Sequence, residues 1–345
     1  MKRIEHNELS PEAKQSLKKR VITALIMVAI TVPCLILGNW LYFGFIVLIT
    51  VLAAYELVHV TKIEGKLRIA IYIITITLLI LLVNYIFFRN NWEFVKANKH
   101  IDAWQFVTNG FQNIELSSML IILAATIYFV FSFATEKMKL YYAFYFITML
   151  VVVSLGIQSF LYLRFSTYSA WQLADKAYFD LPSFPYFESL TLLLYVALGV
   201  TMNDIGAYFV GMLFGKHKMN PRISPKKTWE GFVGGVVFSA IISITFALVL
   251  AAVGKPIHPH FVLKEAYWVV LISLVMPLAG DIGDFIFSAI KRNEGIKDFS
   301  NLLPGHGGIL DRIDSLLFAC GAVAAMIALM DFVAPIIELI PGASS

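Results

Sequence analysis

Charge is what this chain has least of. Asp, Glu, Lys and Arg together make up 14% of its 345 residues, where an ordinary soluble domain carries about 25%. Apolar residues reach 59%, against about 45–50% in soluble proteins. That balance excludes a pair of soluble domains and points to a bundle of spanning helices. Lipid offers the backbone no hydrogen-bond partners, so each crossing needs about 20 mostly apolar residues coiled into a helix. Cysteine is almost missing: Cys34 and Cys320 both lie in apolar runs. Two such residues exclude a disulfide framework and a cysteine-built metal site, and read as small packing groups. Internal repeats and low-complexity segments are absent. So is a small-residue cleavage site after the first apolar run. The polar first twenty residues, ending in Lys18-Lys19-Arg20, therefore read as the lead into a retained helix. The net charge of +4 is too modest to suggest nucleic acid as a partner.

The apolar runs predict about nine spans, near 21–38, 40–61, 68–88, 117–134, 140–163, 189–215, 232–252, 267–290 and 315–340. Two polar stretches, 89–116 and 164–188, read as loops. When the spans alternate, 20 of the 27 Lys and Arg fall on the side of the N-terminus and seven on the other. Positive charge favours the cytoplasmic side, so the N-terminus is expected inside. The richest loops, between spans six and seven and between eight and nine, share that side. The fold class is thus an all-α polytopic membrane protein. It is organised as a cytoplasmic segment (1–20), an N-terminal set of helices (21–188) and a C-terminal transmembrane region that holds the chemistry (189–345).

A charge inside a span costs about 2.5–3.5 kcal/mol on insertion scales, so charged spans draw notice. Three places stand out. Asn203-Asp204 lies in the sixth span, with Tyr208, Gly211 and Gly215 expected on the same bundle-facing stripe. Asp281, Asp284, Ser288 and Lys291 follow one another at helical spacing and share one face of the eighth span. His306-Gly307-Gly308 opens a tight turn into Asp311, Arg312 and Asp314 at the start of the ninth span. Glycines there let backbone N–H groups approach an anion. The sixth-to-seventh loop adds Ser224-Pro225-Lys226-Lys227-Thr228-Trp229-Glu230-Gly231. Ser224 before Pro225 reads as a helix N-cap, aiming free N–H groups and two lysines at a phosphate. Contact with anionic headgroups is the competing reading of that loop. Carboxylates on two helices beside basic loops suit hard cations that bridge to a polyphosphate. No activated nucleophile is evident, and phosphoryl or nucleotidyl transfer needs none: positioning and charge stabilisation suffice.

These residues resemble a known family. Ser288, Lys291-Arg292, Lys297-Asp298, Ser300, Leu303-Pro304, His306-Gly307-Gly308, Asp311-Arg312 and Asp314 match, in order and spacing, the signature of the phosphatidate cytidylyltransferases, or CDP-diacylglycerol synthases. The block from Asp204 to Gly235, with Gly206-Ala207-Tyr208 and Ile223 to Gly231, is similar to that family's second motif, and Leu17 to Ile22 to its opening. The resemblance covers about the last 150 residues; between about 60 and 190 it rests on hydropathy.

The resemblance implies a nine-helix dimer that joins CTP to phosphatidate at the cytoplasmic face of a bacterial inner membrane. It implies Mg²⁺ and a second cation such as K⁺, held on Asp284 and Asp311. Lys291, Arg312 and His306 would act at the reacting phosphates. Ser224, Lys226, Lys227, Arg292, Gly307, Gly308, Ser288, Asp314 and Asp204 would bind or support substrate. One departure stands out: the family commonly has an acidic residue where this chain has Phe287, and a neutral polar one at Asp281. Asp281 is therefore expected to supply the missing acidic support. Two other readings stay open. A cytidylyltransferase for another lipid phosphate would share these motifs. A transporter would also bury charge, but should show broken helices and repeats.

Overall fold

The computed structural model describes residues 11–61, 63–97, 103–173 and 185–338. Nine long helices carry most of them: α1 Pro11–Leu37, α2 Asn39–His59, α3 Lys66–Ala97, α4 Ala103–Ala134, α5 Leu140–Leu173, α6 Pro185–Phe214, α7 Trp229–Ala252, α8 Ala266–Asn293 and α9 Leu310–Glu338. Among the described residues, eight contain a stretch long and apolar enough to cross a membrane, and α4 contributes the apolar run Ser118–Ala134. The protein is an all-α polytopic membrane protein. Leucine, isoleucine and phenylalanine side chains stay exposed along the outer helices, α1 most of all, as expected where lipid is the solvent.

The core is continuous through the bundle. Helix α5 packs on α4, α6 and α9, and so ties the first helices to the last ones. Helices α6 and α7 meet most closely because both present glycine: a side chain at Gly211 would approach the Cα of Gly231, and one at Gly235 would strike Asn203. Both α7 and α8 end in Schellman turns on left-handed glycines, Gly254 and Gly295. At α8 the N–H of Ile296 donates to the Lys291 carbonyl, and that of Gly295 to Arg292. This fixes where the last turn of α8, with Lys291, stops.

Two expectations change. The stretches 89–116 and 164–188 are mostly helix: α3 runs on to Ala97, α4 begins at Ala103, α5 continues to Leu173 and α6 starts at Pro185. A helix of 32 residues is about 48 Å long, so it overshoots a hydrocarbon core of about 30 Å; polarity ended the apolar run but not the helix. The second change is at Ser224, which is not a helix N-cap. Ser224–Thr228 is a strand, β2, paired antiparallel with β1, Lys218–Asn220. Asn220 Oδ1 accepts from the N–H groups of Arg222 and Ile223, which closes the turn at Pro221. Helix α7 starts only at Trp229, capped by Thr228, whose hydroxyl accepts from the Gly231 N–H at 3.2 Å.

Contacts fix which helix ends lie together. Thr23, in the first third of the apolar stretch Leu17–Leu37 of α1, donates to the Pro304 carbonyl in the α8–α9 loop. Glu56, near the end of α2, reaches the start of α9, and Tyr145, early in α5, donates to the Leu57 carbonyl. All lie at the end of the bundle that carries β1 and β2. Helix α3 leaves that end and α5 leaves it again, so α4 must bring the chain back. If these traverses are membrane crossings, single cysteines at Lys226 and Lys255, in a background lacking Cys34 and Cys320, should react with an impermeant maleimide from opposite sides. Reaction from one side would refute the nine-span arrangement.

Candidate active site

The face of α8 predicted from spacing does form one surface. Lys227, projecting from β2, bridges two of its carboxylates: Nζ lies 3.2 Å from Asp281 Oδ1 and 2.7 Å from Asp284 Oδ2. Strand alternation puts Lys226 on the opposite face, and it is exposed. Asp281 is buried, and its second oxygen accepts from Asn203 Nδ2 at 3.0 Å. Ser288 Oγ donates to Asp284. Burial pulls the Lys227 ammonium towards lower pKa, but Asp284 and Asp281 more than offset this, and it stays charged with its pKa raised. The hairpin is thereby locked electrostatically to α8.

About two turns beyond Asp284, Lys291 leaves α8 for α9. Its Nζ is 2.6 Å from Asp311 Oδ1 and 3.9 Å from Asp314 Oδ2, and all three residues are buried. The other oxygen of Asp311 accepts from the N–H groups of Phe299 at 2.8 Å and Gly308 at 2.9 Å. The glycine turn was expected to offer its N–H groups to an external anion. Instead the protein supplies the anion: Gly308 donates to Asp311, and Gly307 donates to the Leu303 carbonyl. Gly307 sits at φ +84°, and a Cβ there would lie 3.1 Å from Asp311 Oδ2. Its role in this geometry is to let the turn fold back over that carboxylate. His306 lies at the turn's tip, with Nδ1 buried and without a hydrogen-bond partner.

One participant escaped the sequence reading. Glu56 of α2 is fully buried and accepts from Ser300 Oγ at 2.6 Å, Ile309 N at 2.7 Å and Leu310 N at 2.8 Å. Its signal was available as the one acidic residue in the apolar run 40–61. Asn203, noted beside Asp204, proves to be the buried member of that pair. Asp204 is exposed on α6, close enough to interact electrostatically with Lys227, Asp284, Asp281 and Arg312. Tyr208, expected on the bundle-facing stripe, is 66% exposed. The buried line of α6 is set by the glycine contacts with α7, which rotate Tyr208 outwards. Phe287 is fully buried against Phe299 and Phe318. Ser224 lies in β2, and Arg312 is exposed. Arg292 is exposed too, with Nη1 donating to the Ile296 carbonyl. Arg292 and Arg222 edge an open groove of about 560 Å³ walled by Tyr141, Phe144, Met149 and Ile290.

Asp281, Asp284, Asp311 and Asp314 make an all-oxygen donor set of the kind hard cations select. No three of them are grouped as ligands among the described residues. Instead, the ammonium of Lys227 bridges Asp281 and Asp284. By donor type and charge, the pair fits a divalent cation. Asp311 would have to release Lys291 to join it.

Comparison with known proteins adds a family. Residues 18–330 match the model of the cytidylyltransferase family. The chain is similar to the phosphatidate cytidylyltransferase of Bacillus subtilis (strain 168), with 43% identity over 140 residues, 41% of this chain and 48% of the relative. It is also similar to that of Staphylococcus haemolyticus, with 39% identity over 155 residues (44% and 55%), and to that of Staphylococcus aureus (strain COL), with 42% over 133 residues (38% and 46%). The matches to these curated relatives thus span about half of each relative's length.

Proposed function

The chain belongs to the cytidylyltransferase family, and on that premise we propose that it joins CTP to phosphatidate, forming CDP-diacylglycerol and pyrophosphate. The observation that carries this reading is the pair of lysine–carboxylate clusters, Lys227 with Asp281 and Asp284 and Lys291 with Asp311 and Asp314, side by side at one end of the bundle. They provide both signs of charge where a water-soluble polyphosphate and a lipid phosphate can meet.

A phosphatidate phosphate oxygen forms a bond to the α-phosphorus of CTP, and the bond from that phosphorus to the pyrophosphate oxygen breaks. The phosphomonoester is already anionic near neutral pH, so the protein need not remove a proton. Asp284, Asp281 and Asp311 would hold a divalent cation such as Mg²⁺, with a second cation such as K⁺ completing the charge. A bound cation supplies charge neutralisation at the phosphates. Lys227 and Lys291 exchange carboxylate partners for phosphate oxygens, and so follow the charge from ground state to departing pyrophosphate. Arg312 and His306 line the approach, and Ser288 and Asp314 support their neighbours. The groove beside Arg222 and Arg292 has a cationic end and apolar walls, and suits the lipid phosphate and its chains. The site faces the cytoplasm of a bacterial inner membrane in a homodimer.

The direct test is the purified protein in detergent with CTP, phosphatidate and Mg²⁺. Pyrophosphate and CDP-lipid should appear in equal amounts, and chelation should stop both. Turnover of an ether-linked lipid phosphate with no turnover of phosphatidate would reassign the substrate. No turnover of either would reject the reading.

A further inference from the structure

We propose that Glu56, on α2, is a positioning residue for the reaction, acting through the start of α9. The inference rests on the reading above for the reaction it serves, but its geometry stands alone. A helix start leaves N–H groups without partners and carries the positive end of the macrodipole. A Ser, Thr, Asp or Asn at the N-cap commonly meets that need. Here the residue before α9 is Ile309, which has no side-chain acceptor. The acceptor comes from another helix: Glu56 takes the N–H groups of Ile309 and Leu310, and the hydroxyl of Ser300 as well.

Asp311 grips the same two segments from the other side. It takes the N–H of Phe299, next to Ser300, and the N–H of Gly308, next to Ile309. Two carboxylates therefore interleave across residues 299–300 and 308–310, and one of them also holds Lys291. A shift of α9 relative to α2 would move Asp311 and with it Lys291. The second glycine of the His306-Gly307-Gly308 turn has its explanation here: a Cβ on Gly308 would collide with the Glu56 carboxylate. Glu56 is thus built into the turn's geometry although about 250 residues separate them in the chain.

The test uses the full chain in detergent or nanodiscs, with two readouts. Hydrogen–deuterium exchange should rise within residues 299–311 in Glu56→Gln, where one acceptor oxygen becomes a donor facing N–H groups, while α6 and α7 stay as protected as in wild type. In the same protein kcat should fall by about thirtyfold, with KM for CTP within about threefold, because misplacement of about 1 Å costs rate before it costs binding. Ser300→Ala removes one of the three donors and should reproduce both changes more weakly, about threefold in kcat. It decides the matter if Glu56→Gln does not accumulate. Unchanged exchange in 299–311 overturns the anchor. Raised exchange with kcat unchanged overturns the positioning role, as does a rise in KM with kcat intact. Wild-type protein that forms no CDP-lipid would sink the proposed reaction, while the exchange readout would still decide the anchor.

Discussion

Replacing Lys227 with Met should lower kcat/KM for CTP by about 10²–10³-fold, the range typical of one preorganised group lost from a charged transition state. Lys226→Ala should change it by no more than about threefold, as for an exposed residue outside the contact network. The two lysines are adjacent in sequence and chemically identical, so the contrast comes entirely from β2. Its alternation turns Lys227 onto Asp281 and Asp284 and leaves Lys226 exposed on the far face. Losing Lys227 also leaves two carboxylates one turn apart without their shared cation. Adding Asp281→Asn to Lys227→Met should therefore recover thermal stability in detergent while leaving activity low. Steady-state kinetics with CTP varied at fixed phosphatidate provide the measurement. Equal losses in the two single variants would mean that the hairpin holds headgroups or phosphates without discriminating between its faces.

Asp311→Asn should be damaging in two separable ways. The amide places an NH₂ or a neutral oxygen against three donors, Lys291 Nζ and the N–H groups of Phe299 and Gly308. Breaking a buried pair by removing one partner costs about 3–5 kcal/mol, because the remaining charge is uncompensated. The variant should unfold earlier than wild type in detergent and should lose about 10³-fold in activity. Adding Lys291→Met removes the orphaned ammonium and should restore much of the stability and none of the activity. A thermal melt of the single and double variants, beside a CDP-lipid assay, separates the effects. If Asp311→Asn melts with wild type yet is inactive, the residue serves chemistry alone; if it keeps full activity with Mg²⁺, its place in the reaction is wrong.

Much of the candidate site is legible in the amino-acid sequence. The scarcity of charge required spanning helices, because lipid cannot satisfy a bare backbone. Helical periodicity then put Asp281, Asp284, Ser288 and Lys291 on one face, and the structure keeps them there. The period of a helix is set by local hydrogen bonds, so spacing alone reports it. The ends of the apolar runs were a poorer guide to the ends of helices, since polar residues can continue a helix beyond the bilayer, as α3 and α5 do. The Ser224-Pro225 pair misled for a related reason. The extended backbone of β2 suits a proline as well as a first helical turn does, and the pairing with Lys218–Asn220 settled the choice.

What the sequence determined by itself was therefore the class of fold, the clustering of charge at one end of the bundle and the shared face of Asp281, Asp284, Ser288 and Lys291. Those follow from properties local in the chain: hydropathy, period and the chemistry of short motifs. Tertiary structure alone decided which charge meets which. It set Lys227 rather than Lys226 against α8, turned Tyr208 outwards, and closed the glycine turn over Asp311 instead of leaving its N–H groups to a ligand. It also brought Glu56 from α2 to the start of α9. Pairings of that kind depend on how whole helices pack, and a buried carboxylate takes whatever donors the packing brings within reach.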